Sequence, residues 1–294
     1  HVESLDAEVR RWEAAGYLPL TYGEFWVALT FYSFAREGCD FVVAEVGAGG
    51  RFDLTNLVQP DVSIITSVGL DHVRTLGETI PEIAWHKAGI IKAGIPTVTT
   101  VEDDEALPVI RDEAREQTTD LIELRRGRDY QYEWREGVGG LLTTNDFEQA
   151  IPLPLPGPFQ ASNAAAAIRA VRLLTGADGP AVPDTAIRRG IEETRFPGRV
   201  EIVQDAPQVV LDGAHNPEKV GALIDTLGLF PKPDKRILVL GSLGGHDFLH
   251  VAELVAPIAD EVIVTAPSAI ERPSAPVEDI VATVEKTSRP YRVV

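Results

Sequence analysis

The chain opens with two stretches of helical periodicity. In "SLDAEVRRWEAA", residues 4 to 15, apolar positions recur at three- and four-residue spacings behind a Ser or Asp start signal. The longer "YGEFWVALTFYSFAREG" continues the pattern and is closed by Gly38, the residue type that most readily ends a helix. The pattern then changes. "DFVVAEV" is a nearly continuous apolar run with the composition of a buried strand, and Glu45 stands at its end before the glycine-rich "GAGGR". "DVSIITSVG" is a second such run, "TIPEIAWHKAGIIKAG" reads as a helix, and "IPTVTTV" as a third strand. Strands alternating with helices predict a mainly parallel sheet covered on both faces.

From about residue 121 to 156, "LIELRRGRDYQYEWREGVGGLLTTN" alternates polar and apolar residues with Gly punctuation, which predicts antiparallel hairpins. The proline-rich "IPLPLPGPFQ" is an extended connector into the alanine-rich helix "ASNAAAAIRAVRLL", and a further helix is expected over 183 to 194. After about residue 205 the strands "QVVLD", "RILVLG", "EVIVTA" and "YRVV" alternate with helices starting near Pro217, Asp247 and Pro276. That is a βαβαβαβ unit, so the expected fold class is α/β with a Rossmann-like second domain. The boundary falls in the segment from Phe196 to Asp205, dividing the chain into domains 1–199 and 200–294.

Composition narrows the function classes. With 44% apolar and 24% charged residues the chain has the balance of a globular protein. A formal net charge of −18 argues against a nucleic-acid partner, and no apolar run approaches a membrane span. Cys39 is the single cysteine, which excludes an internal disulfide and fits a reducing compartment; a cytoplasmic location is expected.

The glycine loop raises the question of a dinucleotide site. Gly47, Ala48 and Gly49 supply G-x-G, but Phe52 occupies the last position of the fingerprint, and Glu45 would repel a pyrophosphate. A carboxylate at the carboxyl end of a parallel strand is better suited to a cation such as Mg²⁺, although Glu45 could equally cap a loop or pair with Arg51. The run "TSVGLDHVRTLG" places Asp71 and His72 after the next strand, where they are expected to reach the same sheet edge as Glu45. Asp212 again ends an apolar run, and the helix from Pro217 is expected to turn its N-terminus towards the same crevice, an arrangement suited to an anion.

In order along the chain, "EVGAGGRFDLTN", "SVGLDHVRTLG", "HKAGIIKAGIPTVT", "GPFQASNAAAA", "FPGRVEIV" and "LDGAHNP" resemble the folylpolyglutamate synthase/dihydrofolate synthase branch of the Mur ligase superfamily, from about Leu20 to Asp247. The resemblance implies a central P-loop-type ATPase domain followed by a Rossmann-like ligase domain. It also implies an activity: ATP-dependent addition of glutamate to a folate or pteroate carboxylate through an acyl phosphate. A related ligase acting on another carboxylate, or a non-catalytic homologue that binds a partner, are the alternatives. Under this resemblance Glu45 and His72 are metal ligands for Mg²⁺, and Lys87 is a lysine carbamylated for catalysis. Asn163, Arg199, Asp212 and His215 face ATP, with His215 also catalytic. The partners implied are small molecules, and the expected state is a monomer.

The chain departs from the family's pattern in several places. It contains no G-x-x-x-x-G-K-[ST] and no Gly-Lys dipeptide, so it is expected to begin downstream of the phosphate loop and to turn over poorly by itself. His86 stands where the family has Glu, Phe159 where it has His, and Gly245-His246 precede Asp247 where a Lys is usual.

Overall fold

A computed structural model describes residues 1–71, 73–174, 182–244, 247–268 and 273–294. Packing divides the chain into two compact units, one of His1–Thr97 and Val101–Ile122, the other of Val98–Thr100 and Glu123–Val294.

The first unit begins with α1 (Val2–Ala14) and α2 (Tyr22–Glu37). Thr21 and Glu24 form a capping box that satisfies the first N–H groups of α2, and Gly38 ends it at φ 65°, as its position predicts. After them come β1 (Ser63–Ile65), α3 (Val73–Leu76), α4 (Ile80–Ala88), β2 (Thr97–Thr99), α5 (Ala106–Glu116) and β3 (Leu121–Glu123), the strands ordered β1-β2-β3. Thr79 and Glu82 build a second capping box at the start of α4. Ala84 and Ala88 of α4 and Ala106, Ile110 and Ala114 of α5 meet Ile65, Ile91 and Val101 in one core. Small residues on the facing sides of the two helices allow that close approach.

One expected strand does not form. "DFVVAEV" belongs to no ladder among the described residues, and Phe41, Val42 and Val43 are 71%, 43% and 97% exposed. An apolar, β-branched run has the composition of a strand, but a strand exists only where a neighbour accepts its hydrogen bonds. The expectation that Glu45 and the segment after β1 deliver side chains to one sheet edge therefore fails in that form: β1 ends at Ile65, well before Asp71.

The second unit starts with the antiparallel sheet expected between 121 and 156, built from β4 (Tyr130–Arg135), β5 (Gly139–Thr144) and β6 (Ile151–Leu153). Helices α6 (Pro158–Leu174) and α7 (Asp184–Glu192) follow. The next strands, β7 (Glu201–Asp205) and β8 (Gln208–Leu211), pair antiparallel. Then come α8 (Pro217–Leu227), β9 (Ile237–Leu240), α9 (Phe248–Val255), β10 (Glu261–Val264), α10 (Val277–Lys286) and β11 (Tyr291–Val293), with β9, β10 and β11 forming a parallel sheet. The α/β class and the Rossmann-like pattern stand, with one correction. "QVVLD" was expected as the first parallel strand, but β8 zips onto β7 through a tight connection at Ala206 and Pro207. Closing so short a loop costs little entropy, so local pairing prevails.

Val262 and Val264 of β10 are fully buried against Ala252 and Ala256 below them and Ile280 and Val284 of α10. Among the described residues no helix is long and apolar enough to cross a membrane. Ile110 of α5 is completely buried in the core it shares with α4. Ile110→Ala is expected to lower unfolding stability by about 2–5 kcal/mol, measured by urea denaturation; a loss below about 1 kcal/mol contradicts this packing.

Candidate functional site

The first group of residues lies where the glycine loop meets α4. Gly49 (φ 67°) and Gly50 (φ 156°) carry the chain past the end of that helix. A Cβ on Gly50 would come within 2.9 Å of the His86 carbonyl oxygen and 3.1 Å of that of Lys87. Gly89 is equally constrained, because a Cβ there would lie 2.4 Å from Arg51 Cα. The loop and the "HK" of α4 are thus brought together by backbone contacts that only glycine permits. Arg51 N–H donates to the His86 carbonyl at 2.7 Å, and Asn56 Nδ2 donates to the carbonyls of Arg51 and Gly89 at 3.1 and 3.0 Å.

The Arg51 side chain lies over the Trp85 ring, 4.1 Å from its centroid, and pairs with the buried carboxylate of Glu113 in α5. Arg51 is therefore spent on Glu113 and Trp85, and Glu45 does not pair with it. Phe52, Trp85 and His86 meet edge to face with centroids 5.0 to 5.8 Å apart. Trp85 and His86, with Leu76 and Pro81, wall a shallow hollow of about 490 Å³.

Asp53 shapes the loop itself. Its Oδ2 accepts from Ala48 N–H at 2.9 Å, and its Oδ1 accepts from Thr55 N–H and Thr55 Oγ1 at 2.9 and 2.6 Å, starting a short 3₁₀ turn, Leu54–Leu57. Burial alone would raise its pKa, but the hydrogen bonds from Thr55, Ala48 and Gly47 outweigh that and hold the carboxyl below the usual aspartate range.

Glu45 is exposed, and among the described residues nothing hydrogen-bonds to its carboxylate. A hard, uncommitted carboxylate suits Mg²⁺. His72 lies outside the described residues. Asp71 and Lys87 are half-buried and each engages a neighbour. No cluster of three or more His, Cys, Asp or Glu side chains placed to hold a metal occurs among the described residues.

The second group lies in the other unit. Asp212 Oδ2 accepts from Val200 N–H at 2.8 Å and its Oδ1 from Ala214 N–H at 2.7 Å. Gly213 N–H adds a 2.9 Å bond to the Gly198 carbonyl. The turn carrying Arg199 and the loop carrying His215 are thereby stitched together. Arg199 is half-buried, with its guanidinium 5.7 Å from the Phe196 ring centroid. His215 precedes Asn216, whose side chain caps α8 by accepting from Lys219 N–H at 2.9 Å. Asn163 is exposed on α6 and donates to Gln160 Oε1 at 3.2 Å. Phe159 packs its ring edge over Gly157. Gly245 and His246 lie outside the described residues.

Sequence reasoning did not single out Asp53, Glu113 or Gly89. Asp53 was legible, since an Asp two residues before a Thr is a turn and cap signal. Glu113, one of many charges in an amphipathic helix, carries no such signal.

Asp53 provides a test. Its depressed pKa means its contribution is fully present above the unfolded-state aspartate value and is lost as pH falls through the folded value. Asp53→Ala is expected to cost about 1 kcal/mol at pH 7, the worth of an N-cap, and Asp53→Asn, which keeps a capping oxygen without the charge, to flatten the acid limb of the stability–pH profile. An unaltered acid limb contradicts the assignment.

Two family models match the chain: Mur ligase middle domain over residues 20–171, and Mur ligase, glutamate ligase domain over residues 198–294. The chain is 41% identical over 231 residues to the dihydrofolate synthase/folylpolyglutamate synthase of Bacillus subtilis (strain 168), covering 77% of this chain and 52% of that protein. It is 39% identical over 267 residues to a probable bifunctional folylpolyglutamate synthase/dihydropteroate synthase of Halobacterium salinarum, covering 89% of this chain and 31% of that one. The chain thus spans about a third to a half of the length of these two relatives. Among solved structures, Mycobacterium tuberculosis folylpolyglutamate synthase complexed with ADP and AMPPCP superposes with a TM-score of 0.85 at 28% identity, covering 100% of this chain and 68% of that one. E. coli FolC in complex with DHPP and ADP matches with a TM-score of 0.79 at 31% identity, covering 96% and 64%. The middle-domain model alone takes in just over half of the 294 residues, and the ligase-domain model continues to the last residue: the chain belongs to the Mur ligase family.

Proposed function

We propose that the chain provides the ATPase and ligase parts of an ATP-dependent enzyme that adds glutamate to a folate or pteroate carboxylate through an acyl phosphate. The observation that carries this reading is the pairwise packing of its motifs. In one unit the glycine loop after Glu45 is locked against the "HK" of α4; in the other Asp212 ties the Arg199 turn to the His215 loop. The relatives named as folylpolyglutamate and dihydrofolate synthases, and the ADP-bound neighbours, support it. The proposed organisation is a central ATPase-like domain over 1–199 and a glutamate-ligase-like domain over 200–294.

Within this reading Glu45 and His72 hold Mg²⁺, which neutralises charge on the phosphates. Lys87 is carbamylated; exchanging an ammonium for an anion beside a cation site turns a repulsive group into an attractive one. Arg199 meets a phosphate with its forked donors, a geometry that a lysine cannot reproduce. Asn163 contacts the nucleotide from the exposed face of α6. His215 belongs to the catalytic group, while Asp212, with both oxygens on backbone N–H groups, acts by holding the Arg199 and His215 loops in place. Small molecules are the partners in this reading, and a cytoplasmic monomer is its setting.

The test is glutamate ligation by the natural full-length protein with MgATP and either dihydropteroate or tetrahydrofolate. One phosphate is expected per glutamate added. Glu45→Gln and His72→Ala are each expected to lower the rate on the order of 100-fold or more while leaving the thermal unfolding midpoint unchanged. ATP consumption with a different acid and neither pterin acceptor overturns the folate assignment, and wild-type rates in either variant remove that residue from the site.

A further inference from the structure

The start of α8 holds a contact that the ligase reading does not use. His215 Nδ1 lies 2.8 Å from the Gly213 carbonyl oxygen, and its Nε2 lies 3.3 Å from Lys219 Nζ. A carbonyl can only accept, so Nδ1 carries the proton. A lysine ammonium can only donate, so Nε2 presents its lone pair. A doubly protonated ring would set N–H against N–H at Nε2, and the opposite tautomer would break both contacts.

We infer that Lys219 is a positioning residue for His215, holding the ring in the Nδ1–H tautomer and in one orientation. The geometry is fixed from both ends. Asn216, 9% exposed, caps Lys219 N–H, and the next residue, Val220, is 1% exposed, so the backbone from which Lys219 reaches back is anchored in the core. On the other side, Gly213 N–H is tied to the Gly198 carbonyl and Ala214 N–H to Asp212. The ring is thus clamped between a carbonyl held by one loop and an ammonium held by one helix. In this tautomer His215 presents a hydrogen-bond acceptor at Nε2, turned to Lys219 Nζ, and does not donate to a phosphate oxygen from that atom.

The tautomer is independent of the proposed activity; only the catalytic consequence rests on the ligase reading. The test has two readouts in the full-length protein. The first is the ¹⁵N spectrum of the imidazole ring at a pH where it is neutral, with His215→Asn identifying the resonance among the other histidines. Wild type is expected to show a protonated Nδ1 and a bare Nε2. Lys219→Met, which leaves only the Gly213 carbonyl to favour Nδ1–H, is expected to raise the Nε2–H population and move both nitrogen shifts towards that form, and Lys219→Arg, which restores a cationic donor, to return them. A predominant Nε2–H form in wild type, or identical spectra in wild type and Lys219→Met, overturns the inference.

The second readout is steady-state ligation. Lys219→Met is expected to lower kcat about tenfold through misorientation of the ring. KM for ATP and glutamate is expected to stay within about twofold. A raised KM at constant kcat makes Lys219 a ligand of substrate and overturns its positioning role, as does a shifted tautomer with unchanged kcat. If the wild-type protein ligates nothing, the ligase reading fails, while the spectra still decide whether Lys219 holds the ring.

Discussion

Val200 is a buried, β-branched residue with a left-handed backbone, φ 47°, a conformation that such a side chain adopts at a steric cost. What holds it there is Asp212, whose carboxylate takes the Val200 N–H with one oxygen and the Ala214 N–H with the other. Charge-assisted bonds of this kind are about twice as strong as neutral ones. They join the turn carrying Arg199 to the loop carrying His215 at the open end of the β7–β8 hairpin. Together with the Gly213–Gly198 backbone bond and the β7–β8 pairing, this bridge places the two loops.

The other unit solves the same problem by different means. There the glycine loop is shaped from within by Asp53 and pressed against α4 at positions where a Cβ would collide with backbone. Arg51, clamped by Glu113 and by the face of Trp85, adds a largely buried ion pair. Such a pair contributes little net stability against an apolar replacement, but breaking one partner leaves a costly buried charge. The loop is thereby held at several points where it passes the end of α4, while Glu45 just before it is exposed.

The helices were legible because their signals are local: the capping boxes at Thr21 and Thr79, the terminal Gly38 and the Pro after Asn216 all act where they stand. The β4-β5-β6 sheet was legible for the same reason, through alternation and glycine turns. The strand expected at Asp40 to Val46 did not form because pairing depends on a distant neighbour that periodicity does not reveal. The parallel pairing expected of β8 failed because a competing partner lay only a turn away. Of the candidate residues, the motifs picked out Arg199, Asp212 and His215, yet the double use of Asp212 and the hold of Lys219 on His215 exist only in three dimensions.

Nucleotide affinity tests the Asp212 bridge most directly. The measurement is the dissociation constant of MgATP by calorimetry for the full-length protein and its Asp212→Asn variant. An amide offers one acceptor where the carboxylate offers two, so one of the two backbone bonds is lost and the hold on the Arg199 and His215 loops loosens. The account predicts an affinity weaker by about tenfold or more, the equivalent of one charge-assisted hydrogen bond of roughly 1.5–3 kcal/mol. An unchanged dissociation constant in a folded variant contradicts it.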